Sequence, residues 1–139
     1  MTNFRSTKEL SHTAVMIMLK AGVEHAEDMG QPQCIVIVDA SGVTLGEIRM
    51  TGSKLLSLDT ARAKAVTAAS HGIPSGMIPD SVRLAVATAT GGKGTGLPGG
   101  LPIRYDGILL GGIGVGSGAP DQDVAVACAA LAAVGAEPI

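Results

Sequence analysis

The sequence predicts an α+β domain, with helices packed on one antiparallel sheet. Three observations carry this prediction. Helical periodicity appears in segments that flank two pairs of short β-branched runs. Each pair is joined by a turn signal, so both read as antiparallel hairpins. The chain has 139 residues, is 46% hydrophobic and only 16% charged, which suits one domain over residues 1–139 with its own core.

The elements follow in order. Ser11 to Asp28 reads as a helix, with Val15, Leu19, Gly22, Val23 and Ala26 along one face, ended by Gly30 and Pro32. Gln33 to Asp39 is a buried strand. Asp39-Ala40-Ser41-Gly42 turns the chain, and Val43 to Met50 returns as its partner. Ser57 to His71 forms a second helix, with Ser57 placed as its N-cap, Asp59 in its first turn, and Gly72 and Pro74 as its stop. Pro79 to Ala89 suggests a short third helix. Leu101–Ile103 and Ile108–Val115 flank Tyr105-Asp106-Gly107, whose Asp-Gly is a hairpin turn. The last helix runs from Pro120 to Val134, with Pro at its first position and Gln122 able to close a capping box.

Composition excludes several classes of function. Net charge is −2 without a basic cluster, which argues against nucleic acid as a partner. No stretch approaches the ~20 apolar residues that span a bilayer, and the first residues lack a signal-peptide core, so a cytoplasmic protein is expected. Cys34 and Cys128 have no metal-ligand spacing and are expected as two buried thiols; no metal site is expected. The chain has no Trp, one Phe and one Tyr, so its core must use Ala, Val, Ile, Leu and Met. Small side chains bury little area each, which favours self-association.

Twelve of the twenty glycines fall between Gly91 and Gly118. They divide into two groups. The loop Gly91–Gly100 has the freedom to present backbone N–H groups to an anion, although it lacks the Walker pattern. Gly111 to Gly118 lie in and after a strand, where bare backbone invites a ligand or a neighbouring subunit. Tight turns are the structural alternative for both.

Several side chains are candidates for chemistry. Thr60, Lys64, Thr67 and His71 share one face of the second helix, either as a solvated stripe or as an anion site. In the latter, Lys64 faces a carboxylate and His71, as an imidazole, acts as ligand or base. Arg49 offers a planar fork to a carboxylate, or pairs with Glu47 or Asp59. Arg104 follows the glycine loop. Asp121 and Asp123 suit the N-terminus of the last helix, and Asp123 is alternatively a general base at a subunit edge. The helix behind it, VAVACAALAAV, is apolar all round and is expected to be buried on every side. His12 and His25 lie on the first helix and are expected to be exposed. The methionines, Met16, Met18 and Met50 among them, read as core fillers.

Three stretches taken together resemble one known family: VDASGVTLGEIRM (38–50), ARAKAVTAASHGIPSG (61–76) and GGLPIRYDGILLGGIGVGSGAPDQDVAVA (99–127). In their order they resemble the GlcG/HbpS haem-binding family, which includes the C-terminal domain of PduO-type proteins. Its usual form before the last helix is closer to G-V-S-G-G-T-P-E-Q-D. Here Val115-Gly116-Ser117-Gly118 places an extra Gly before the Ser, and Ala119 stands where a capping Thr is usual, a loss of about 1 kcal/mol. Lys64 sits in the recurrent K-A-x-T-A pattern.

The resemblance implies a five-stranded antiparallel sheet in a layered sandwich, homo-oligomers, and haem as a ligand in some members. Under that reading Lys64 meets a haem propionate and His71 the iron, and haem degradation or redox sensing follows. The scarcity of aromatic residues counts against a conventional haem wall. A second reading is an isomerase, tautomerase or lyase acting on a carboxylic acid of aromatic or glycolate catabolism. In it Arg49, Lys64, Thr67, Gly99, Gly100 and Arg104 hold the ligand, and His71 or Asp123 moves a proton. A third is a non-catalytic sensor or scaffold.

Overall fold

The computed structural model describes residues 2–139. Helix α1 (His12–Asp28) is followed by strands β1 (Cys34–Asp39) and β2 (Thr44–Arg49). Helix α2 (Ser57–His71) comes next, then two short 3-10 turns and helix α3 (Arg83–Ala89). Strands β3 (Gly100–Tyr105) and β4 (Ile108–Gly116) and helix α4 (Pro120–Ala133) complete the chain. The strands form one antiparallel sheet in the order β2-β1-β4-β3. The expected α+β class is thus observed, with four strands among the described residues rather than five. Residues 2–10 lie outside regular structure and supply no further strand.

Both hairpin turns form where the sequence places them. Asp39 Oδ1 accepts the Ser41 and Val43 N–H groups at 2.8 and 3.0 Å, an Asx arrangement that closes the first. Asp106 and Gly107 take φ of 53° and 72°, both positive as a type I′ turn requires.

Strand alternation sorts β1 between two layers. Ile35 and Ile37 join Val15, Met18, Ile113, Val115, Val126 and Leu131 under α1 and α4. Cys34, Val36 and Val38 face Ala61, Ala65 and Ala69 of α2 on the other side. The fold is therefore three layers deep, with the sheet in the middle.

The α2 layer is very close to the sheet. A Cβ at Gly114 would lie 1.8 Å from the Ala61 carbonyl oxygen, and one at Gly112 2.2 Å from that of Ala65. Gly100 on β3, paired with Gly114, would strike the Lys64 carbonyl oxygen at 2.2 Å. The glycines of β4 therefore seat the chain's own helix, which leaves no room there for the ligand or second subunit expected on bare backbone.

Three further expectations are corrected. Ser57 is the first helical residue of α2, and the capping position is Leu56, without a side-chain hydrogen bond. Helix α4 buries Asp123, Val126, Ala127, Ala130 and Leu131, but its opposite face, Cys128 included, is exposed. Only Cys34 is a buried thiol. Ala119 caps α4 only through its N–H, which donates to Gln122 Oε1 at 2.9 Å; alanine offers no acceptor in return.

Candidate functional site

Lys64 is a cation on the sheet-facing side of α2, only 4% exposed. Its Nζ donates to the Val115 carbonyl oxygen at 2.7 Å and to Asp123 Oδ2 at 3.0 Å. Asp123 stands in the first turn of α4, on the opposite layer, and is 3% exposed. The pair thus joins the two helical layers around the end of β4. Gly99 makes this passage: with φ of +119°, its missing Cβ would sit 2.6 Å from the Val115 carbonyl oxygen and 3.1 Å from Lys64 Nζ.

The carboxylate has further partners. Asp123 Oδ1 accepts the Gly118 N–H at 3.0 Å. Burial raises its pKa above the ordinary 3.8, against the opposing pull of the Lys64 charge and hydrogen bond, the Gly118 N–H and the nearby Gln33 amide. That amide is fully buried; it lies close enough to influence Asp123, yet neither of its polar atoms meets hydrogen-bond geometry.

A cleft of about 230 Å³ opens over the pair. Lys54, Ser57, Thr60 and Ser117 supply its polar wall, Leu97 and Pro98 its apolar rim. Ser117 holds φ at 94°, a conformation that costs a non-glycine residue energy, and its Oγ accepts the Lys54 backbone N–H at 2.9 Å. Ser75, fully buried behind the cleft, accepts the Gly100 N–H at 2.9 Å and donates to the Leu97 carbonyl oxygen at 2.6 Å.

The structure brings together Lys64, Asp123, Gly99 and Gly100 among the sequence candidates. Thr67 is one turn along α2, buried, and accepts the Thr95 N–H at 2.9 Å; it anchors the glycine loop. His71 is exposed at the end of α2, two turns or about 10 Å from Lys64 along the axis, and does not line the cleft that Lys64 lines. Arg104 donates to the Gly72 carbonyl oxygen at 2.7 Å and thereby stabilises the C-terminus of α2. Arg49 forms no ion pair among the described residues, because Glu47 and Asp59 both pair with Arg62.

Several N–H groups of the glycine loop are already engaged. Gly92 donates to the Ala87 carbonyl oxygen, Gly94 to Thr90 Oγ1, Thr95 to Thr67 and Gly100 to Ser75. These four are not available to the expected anion cradle. Lys54, Ser57, Ser117 and Gln33 join the site beyond the sequence candidates. Ser57 stood out only as a helix start, and Ser117 as the residue displaced by the extra glycine before it.

Arg49 instead lines a second cleft, of about 500 Å³, between the C-terminal half of α1 and the end of β2. Val23, Ala26, Pro32, Ile48 and Met50 form its apolar wall. Met50 Sδ accepts the Gln33 N–H at 3.4 Å. A third cleft, of about 530 Å³, is lined by Ser41, Asp59, Arg62, Val66 and Lys93. Among the described residues no group of three His, Cys, Asp or Glu side chains is placed to hold a metal ion, and no helix is long and apolar enough to cross a membrane.

The chain is 33% identical to the corrinoid adenosyltransferase PduO of Citrobacter freundii over 130 residues. This match takes in 90% of the chain but 39% of that relative, so the chain spans about two fifths of the curated proteins it matches. Among solved structures, the PduOC:haem complex superposes with a TM-score of 0.88 at 30% identity, covering 94% of this chain and 99% of that one. A double mutant of Streptomyces reticuli HbpS gives a TM-score of 0.85 at 30% identity, covering 95% and 91% respectively. The family described as "Haem degrading protein HbpS-like" matches residues 10–132. On this match, and on the three-layer fold that accompanies it, the chain belongs to the HbpS-like family.

Proposed function

We propose that the protein binds haem. The observation that carries this reading is the near-complete superposition on a PduO C-terminal domain solved with haem.

The three clefts differ in how well their residues suit the group. The Lys64 cleft, about 230 Å³, is below the ~300 Å³ at which drug-sized ligands begin to fit. The third cleft contains no thioether or imidazole donor, and its charges are Lys93 and the Asp59–Arg62 pair. The Arg49 cleft fits the group in donor type. Its aliphatic wall can shield a porphyrin face, Met50 offers a thioether, and Arg49 offers a fork to a propionate. This replaces His71 and Lys64 as the haem contacts. Bound there, haem would supply an iron centre for redox or small-ligand chemistry. The chain's own part is to exclude water with Val23, Ile48 and Pro32 and to orient the propionate through Arg49.

Titration with haemin is expected to give a Soret band. Met50→Ala should shift its position, and Arg49→Ala should weaken binding by about tenfold, as for a lost charged hydrogen bond. No Soret change in the folded wild type would overturn the proposal. Degradation is a separate step, supported only by the family description; bleaching of the bound Soret band under a reductant and oxygen would test it.

We also propose a homo-oligomer. Helix α3 buries none of its residues, and Leu84 on it is 81% exposed. An exposed apolar face of this kind gains burial from a second copy.

A further inference from the structure

We infer that the cleft over Lys64 and Asp123 is a second, separate binding site, for a monocarboxylate of two to four carbons bearing a hydroxyl or oxo group. The inference does not rest on the haem reading.

Unused hydrogen-bonding capacity points to a ligand. An ammonium has three N–H donors. Lys64 spends two, on Val115 and Asp123, and no other acceptor among the described residues takes the third. Its side chain lines the cleft. The Ser117 hydroxyl accepts from the Lys54 backbone, so its own proton is free to donate. The Ser57 hydroxyl has no partner among the described residues. These donors converge where Ser117 is held in an unfavourable backbone conformation, and strain of this kind concentrates at functional sites.

Charge sets the class of ligand. The charged residues lining the cleft are Lys54, Lys64 and Asp123, a balance of +1. A monoanion neutralises it; a dianion such as phosphate overshoots and meets the Asp123 carboxylate. A carboxylate matches the two lysines, Lys54 and Lys64, that line the cleft. A hydroxyl or oxo group on the neighbouring carbon can pair with Asp123 or Ser57, which offer both acceptor and donor. Size sets the chain length, because about 230 Å³ admits only a few carbons. Leu97 and Pro98 at the rim would cover those carbons.

The test is calorimetric titration of the purified, haem-free protein with lactate, pyruvate, acetate and inorganic phosphate in parallel. Lactate or pyruvate should bind and raise the thermal midpoint, with acetate weaker and phosphate weaker still. Lys54→Ala and Ser57→Ala, both away from the buried pair, should each weaken lactate binding by about three- to tenfold. Haemin titration of the same variants should be unchanged, which separates failure of this site from failure of the haem reading. Absence of heat and of any thermal shift with lactate and pyruvate at millimolar concentration in folded wild type would overturn the inference. So would phosphate binding as tightly as lactate, or lactate binding unaffected by both variants.

Discussion

Lys64 and Asp123 are separated by 59 residues in sequence and by 3.0 Å in space. A buried pair of this kind is costly to break and cheap to remove as a whole, because each member alone leaves an uncompensated charge in a poorly solvated site. Lys64→Met or Asp123→Leu alone should therefore cost about 3–5 kcal/mol in chemical denaturation. The double variant should recover most of that loss, and full additivity would show that the pair is not coupled. The raised Asp123 pKa adds a pH signature. The folded state holds this proton more tightly than the unfolded chain, so its contribution to stability is complete below 3.8 and is lost as pH rises through the folded-state pKa. Over that window the wild type should lose stability relative to the double variant. A difference independent of pH would place the carboxyl in a solvated setting.

Elements were easier to read than their neighbours. The Asp106-Gly107 turn, the limits of α2 and the start of α4 at Pro120 follow from local chemistry, which acts within a few residues. What covers a face does not. The periodicity of α2 marks Lys64 and Thr67 as polar positions on one side, yet both are buried, because the opposing strand surface is glycine. The candidate site was half legible for the same reason: Lys64, Asp123, Gly99 and Gly100 stood out as residue types, but their meeting depends on how α2 and α4 sit at the strand ends. Two glycine substitutions separate these levels. Gly107→Ala, with nothing within 4 Å of its Cβ, should cost only the ~1–2 kcal/mol of a left-handed backbone. Gly114→Ala, whose Cβ meets a main-chain oxygen at 1.8 Å, should displace α2 and abolish cooperative unfolding. Comparable thermal midpoints for the two would contradict this packing.

At the scale of the whole molecule, two of the clefts differ sharply in chemistry: an apolar one bounded by α1 and β2, and a small polar one where α2 and α4 meet. Its outer surface adds α3, with Leu84 exposed. Wild-type protein should elute in size-exclusion chromatography well above the 13.8 kDa of one chain, and Leu84→Glu should shift it toward that mass. A wild type that runs as a single chain would remove the oligomer. The glycine seat under α2 bears on all of this in another way. Main chain resting on main chain has no rotamers, so the usual means of adjusting a layer spacing, by exchanging one side chain for another, is missing here. The height of Lys64 above the strand end is set by backbone thickness alone. The side chains around the polar cleft can therefore be exchanged without moving the ammonium at its floor.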